Sequence, residues 1–283
     1  MPCSKCGCIN ESDAAHCALC GNALIRSDPD PRVLREVADS IHPDEPAAWH
    51  RCMPSGAWCW LAGALLGFLL MKVPVLNFMG WFMGALFHEL GHCGAAWLTG
   101  CWALPAVGIQ GHAMAVHGEQ KLGLGILLLL LTSAGCACLW WQGWRKTALL
   151  ATILVLLQGT AVFFSAVRDP LILAAGHLGE LVFAAVFLWR AWTGEFVESP
   201  IERPVYAAFG FCILFENLRL FLGLMISSGA RLVYHGNGSF GLENDLIRIA
   251  RDHLGIPLEV TTVFFFIAAV ATLPLAWLMA RNR

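Results

Sequence analysis

Seven apolar stretches follow one another between residue 57 and the C-terminus, at roughly 57–76, 78–98, 122–141, 147–167, 170–192, 204–228 and 256–280. Each approaches the about 20 residues a helix needs to cross a hydrocarbon core. A chain built this way has few choices. In lipid, a helix pairs every backbone N–H and C=O within its own segment. Continuous apolar runs, without period-2 alternation, select helices. The expectation is an all-α polytopic membrane protein with six or seven transmembrane helices. The first two segments are separated only around Lys72-Val73-Pro74, which predicts a tight hairpin or one irregular unit.

Composition closes the alternatives. Hydrophobic residues make up 58% and charged residues 13% of the 283 positions, against about 25% charged in soluble domains. Disorder is excluded for most of the chain. The formal charge of −2 gives no electrostatic ground for nucleic-acid binding. Twelve tryptophans against two tyrosines suit aromatic side chains at lipid interfaces. The Lys/Arg distribution favours a cytosolic N-terminus, with Arg145-Lys146 and the C-terminal arginines opposing it. A multi-pass protein of a prokaryotic cytoplasmic membrane is expected.

Ahead of the spans lies a polar module, residues 1–24, and a proline-rich linker, 25–56, with one candidate interfacial helix after Asp30-Pro31. In the module, Cys3-x-x-Cys6 and Cys17-x-x-Cys20 each close just before a glycine. Two such knuckles supply the four thiolates that tetrahedral Zn²⁺ prefers. No signal peptide precedes them, so reduced thiols fit better than disulfides. A module this small needs the metal to fold. The expectation is a zinc ribbon with Cys8 and His16 as non-ligands, separated from the membrane domain and serving a cytosolic protein partner. It resembles the short zinc ribbons at the N-termini of many prokaryotic membrane proteins.

The second chemical feature lies inside a span. Residues 88–92 read His88-Glu89-Leu90-Gly91-His92. Histidines at i and i+4 share a helical face, so both imidazoles reach one Zn²⁺, and Glu89 beside that face can take a proton from its water. An ionised carboxylate at mid-span costs about 2.5–3.5 kcal/mol on insertion scales. Such groups persist where they face a protein interior and bind something.

With the run His88 to Gly100 (HELGHCGAAWLTG) and the glycine-containing, strand-like 102–117 that follows, the chain resembles the site-2 protease family of intramembrane zinc metalloproteases. The resemblance implies peptide-bond hydrolysis in or beside the bilayer, with His88 and His92 as ligands and Glu89 as general base. It covers about 50 residues and the multi-span architecture. The family's third ligand comes from an Asp-Gly motif, which this chain lacks; Asp169 has no following glycine. Gly176-His177-Leu178-Gly179-Glu180 offers two candidates one turn apart. His177 or Glu180 is the expected third ligand, and the other its support.

The remaining polar groups have plainer readings. Glu216 and Arg219 neutralise one another at i, i+3. Asn217 has the chemistry to bind a substrate carbonyl. His112, His117 and His253 read as loop or chance histidines. Residues 107–117, if extended, could hold an unwound substrate by edge pairing. The expected cofactors are one catalytic and one structural Zn²⁺, the expected partners the bilayer and a membrane-associated peptide substrate. A metal transporter or sensor shares the histidines but does not need Glu89, and lacks the internal repeat such proteins carry. An inactive protease relative that binds transmembrane partners is the third class.

Overall fold

The computed structural model describes residues 55–108, 113–236 and 244–281, with His16, Cys17 and Cys20. The chain divides into two units, Met1–Met53 and Pro54–Arg283. Of the first, Cys17 is buried and Cys20 exposed. Cys3, Cys6 and Cys8, the rest of the ribbon and the interfacial helix lie outside the described residues.

The second unit is a helical membrane protein. Its elements run α1 (Gly56–Lys72), α2 (Pro74–Leu98), β1 (Cys101–Val107), β2 (Ala113–Gln120), α3 (Leu122–Trp141), α4 (Arg145–Phe163), α5 (Ser165–Thr193), α6 (Glu202–Ile226), α7 (Ser228–Gly236), α8 (Asp245–Arg248) and α9 (Leu258–Arg281). A π-helical turn, Ile249–Leu254, extends α8 and ends at Gly255, whose φ of 63° suits a residue without Cβ. Five helices, α3 to α6 and α9, are long and apolar enough to cross a membrane.

The break between the first two segments is an irregular unit rather than a hairpin. Val73 is extended, as a residue before proline must be, and Pro74 opens α2 with the axis turned by 104°. Counted as one broken span, the pair gives a sixth crossing. It packs by close backbone approach. A Cβ on Gly63 of α1 would lie 2.1 Å from Ala207 Cβ of α6, and one on Gly91 of α2 would lie 2.1 Å from the Ala175 carbonyl of α5. Small residues at such crossings replace the hydrophobic drive that lipid does not supply.

The glycine-containing, strand-like stretch after α2 is an antiparallel β-hairpin, with Ala103 opposite His117 and Val107 opposite Ala113. Gly100 leaves α2 at a φ of 87° and makes the turn into β1. Gln120 anchors the far end, donating to the Thr99 and Val162 carbonyls and accepting from Arg168. α3 and α4 then form a hairpin at the side of the bundle. Only 6% of the most apolar stretch of α3 is buried, so its leucines meet lipid. Trp140, Trp141 and Trp144 stand exposed at its turn, the place for an interfacial aromatic belt.

The core sits among α5, α6 and α9, where Leu188, Leu214, Phe221, Leu224 and Ala269 are almost fully buried. Leu246 and Ala250 of the stretch after the last loop join that core, as their one-turn spacing predicts, while Leu254 is exposed. Burying Leu246 fixes the position of its neighbour Asp245.

Candidate metal centre

Three elements converge on one point: α2, α5 and the first residue of α8. α2 presents His88 and His92 on one face, their rings 4.7 Å apart. Asp245 meets both, its Oδ2 3.0 Å from His88 Nε2 and 3.0 Å from His92 Nε2. Burial alone would raise the Asp245 carboxyl, but the hydrogen bonds to His88 and His92 outweigh it and hold the acid well below the usual carboxylate range.

The donor set fits a cation. His92 Nδ1 lies 2.6 Å from the Ile172 carbonyl. That oxygen only accepts, so Nδ1 donates to it and Nε2 is the ring nitrogen left to meet Asp245 or a metal. A ring nitrogen and a carboxylate oxygen 3.0 Å apart share either a proton or a metal. Two imidazoles and a carboxylate are the donor types zinc takes in catalytic sites, which keep a fourth position open.

The space in front of the imidazoles is kept by a glycine. A Cβ on Gly176 of α5 would lie 2.5 Å from His92 Nε2 and 2.6 Å from His88 Nε2. Gly176→Val is therefore expected to weaken metal binding by about 10–100-fold, the range seen when support of a ligand is disturbed. Gly94→Ala on the same α2 is the control, because no atom lies within 4 Å of its Cβ position; it should raise helix stability by at most about 1 kcal/mol. Metal titration and thermal melts of both variants check the pair.

His177 and Glu180 gather at the other nitrogen of His88. Glu180 Oε1 is 3.6 Å from His88 Nδ1, and Oε2 is 3.1 Å from His177 Nδ1. These three residues form a second group with metal-binding spacing, without His92. A carboxylate behind a ligating imidazole fixes its tautomer and raises its basicity. His177 itself is buried, edge-on to Phe221 and Phe265.

Glu89 lies beside the centre rather than in it. Its side chain is buried and Oε2 has no partner among the described residues. Two clefts open onto it. One, of about 160 Å³, runs between Asp245, Arg248 and β2, with His117 on its wall. The other, of about 350 Å³, reaches toward Asn77, Glu180 and Asn217. Asn217 donates Nδ2 to the Ile213 carbonyl and leaves Oδ1 buried without a partner among the described residues.

Other candidates are elsewhere. Asp169 pairs with Arg168 at the start of α5 and belongs to neither metal-binding group. Glu216 pairs with Arg219 as its spacing predicts. His253 is exposed in the π-helical turn, and His112 lies outside the described residues.

Asp245 is the residue that sequence reasoning missed. It stands 157 positions after His88, in a short helix between spans, with no glycine after it. Its one signal, Asn244-Asp245 ahead of the apolar Leu246 and Ala250, reads more naturally as a helix N-terminus. Compared with protein-family models, curated proteins and solved structures, the chain matches none.

Proposed function

We propose that this chain is an intramembrane zinc metallopeptidase that cleaves membrane-associated peptides, with His88, His92 and Asp245 as metal ligands. The observation that carries the reading is the placing of one Asp245 oxygen 3.0 Å from both imidazoles of the HExxH helix. Bound there, zinc would supply an acidified water and a Lewis acid for the scissile carbonyl. Glu89 accepts the proton at its unpartnered carboxylate oxygen and returns it to the leaving amine. Glu180, braced by His177, holds His88 in register. The Ile172 carbonyl does the same for His92.

The clefts supply access. β2 contributes Ala113, Met114 and Ala115 to the wall of the smaller one, and one edge of the two-stranded sheet pairs with nothing else among the described residues. An unwound substrate fits there as an added strand. Six crossings, with α1 and α2 as one broken span, a cytosolic N-terminus and a ribbon that holds the structural zinc for a cytosolic partner complete the proposal.

The purified protein is expected to hold two zinc ions in separable classes. Cys3→Ser with Cys17→Ser should remove one, and His88→Ala with His92→Ala the other. Chelation should abolish cleavage of single-span membrane proteins, and zinc should restore it. A zinc content unaffected by the histidine changes would remove the catalytic reading. The second reading is a metal transporter, favoured by the fact that two metal-binding groups share His88. It predicts metal passage without need of Glu89.

A further inference from the structure

Among the described residues, the arginines that are not exposed are, with one exception, matched to something. Arg168 binds Asp169 and Gln120, and Arg231 binds Glu259 at 3.1 Å. Buried Arg203 donates to the Ala191 and Trp192 carbonyls. Arg190 reaches the Phe196 carbonyl and lies over the Tyr206 ring. The exception is Arg248. It is half-buried, it lines the cleft that holds His88, Glu89, His92 and Asp245, and among the described residues its side chain makes no hydrogen bond or ion pair, feeling only the more distant charge of exposed Asp252, which is itself engaged by Arg251. Asp245 sits one turn earlier in the same stretch, but the Asp245 contacts are with the two imidazoles.

A guanidinium partly withdrawn from water with no carboxylate hydrogen-bonded to it is costly, and the cost is relieved when an anion enters. The planar fork of five donors matches a carboxylate better than a single oxygen, through two parallel hydrogen bonds. The other groups on this cleft fit that assignment. His88, Glu89, His92 and Asp245 are committed to the metal and the proton, while Asn244 and His117 add polar surface beside Arg248. α8 and its π-helical extension lie outside the long apolar helices, where a charged substrate group remains near water.

We propose that Arg248 binds a carboxylate of the substrate beside the scissile bond, so that the site selects peptides with an acidic residue or a free C-terminus at that position. The proposal rests on the peptidase reading of the same cleft, and it adds the chemical class of substrate. Arg248 is on this account a specificity-determining residue.

The test separates binding from hydrolysis. Full-length protein carrying Glu89→Gln, loaded with zinc in detergent, is titrated with fluorescent ten-residue peptides. One set carries a central Glu, a second a central Gln, and each is made with a free or an amidated C-terminus. The carboxylate peptide should bind at least about tenfold more tightly than its neutral counterpart, the worth of a charge-assisted hydrogen bond. Arg248→Gln should remove the difference, Arg248→Lys should keep part of it, and Arg248→Glu should turn the preference toward a central Lys. A preference lost on C-terminal amidation assigns the carboxylate to the chain end; one that survives assigns it to the side chain. Equal binding of the Glu and Gln peptides and of both C-terminal forms would overturn the proposal, as would an unchanged preference in a folded Arg248→Gln protein. Selective binding by a native protein that never cleaves would spare Arg248 and remove the peptidase reading.

Discussion

Glu89→Gln is expected to keep its metal and to lose hydrolysis by about 10²–10⁴-fold, the usual contribution of a positioned proton-transfer group. The physical basis is the separation of roles within one helical turn. His88 and His92 face Asp245, while Glu89 borders both clefts and leaves Oε2 buried with no partner among the described residues. Gln matches Glu in size and hydrogen-bonds water, so the site should stay intact. It cannot take up a proton at neutral pH. Zinc content measured beside cleavage of a single-span substrate decides it. Undiminished cleavage would end the peptidase reading and favour passage of metal through the two groups that share His88.

Asp245→Ala is expected to empty the membrane site. It removes one of three donors and leaves two imidazoles without their shared carboxylate, so affinity should fall by more than the about 10–100-fold assigned to groups behind a ligand. Glu180→Gln and His177→Ala should fall within that smaller range, because both act through His88 Nδ1. Asp245→Asn, which keeps the shape and loses the charge, should lie between. Competition against a chromophoric chelator reads all four. Tight zinc in Asp245→Ala, with loss in Glu180→Gln, would move the centre to the group formed by His88, His177 and Glu180.

Much of this architecture is written in local pattern. Segment lengths gave the helices because the bilayer imposes them, and Pro74 marked the bend because its ring forbids a helical Val73. His88, Glu89 and His92 stand out as a candidate site because a metal needs two donors one turn apart. The hairpin was foreseen only loosely: Gly100 and Gly118 announce a departure from helix, but register comes from packing, as where Gly118 presses on the Trp102 indole. The pairing of Gly91 with Ala175 and Gly179 is set between helices, and only the small residues hint at it. Asp245 was hidden for a different reason. Its partners are distant in sequence, and its place is fixed by Leu246, whose burial is a property of the bundle. His177 and Glu180 stood out as ligand candidates by their spacing on α5, yet spacing cannot say which ring nitrogen of His88 they approach.

The most direct test of the centre is X-ray absorption at the zinc edge, on full-length protein carrying Cys3→Ser and Cys17→Ser so that the membrane ion is observed alone. The predicted spectrum is a shell of nitrogen and oxygen at about 2.0–2.2 Å with the outer-shell signature of two imidazoles and no sulfur. With zinc in excess over the weakened site, that signature should fall to one imidazole in His92→Ala. Absence of zinc from the cysteine variant, or a shell unchanged by the loss of His92, would contradict the account.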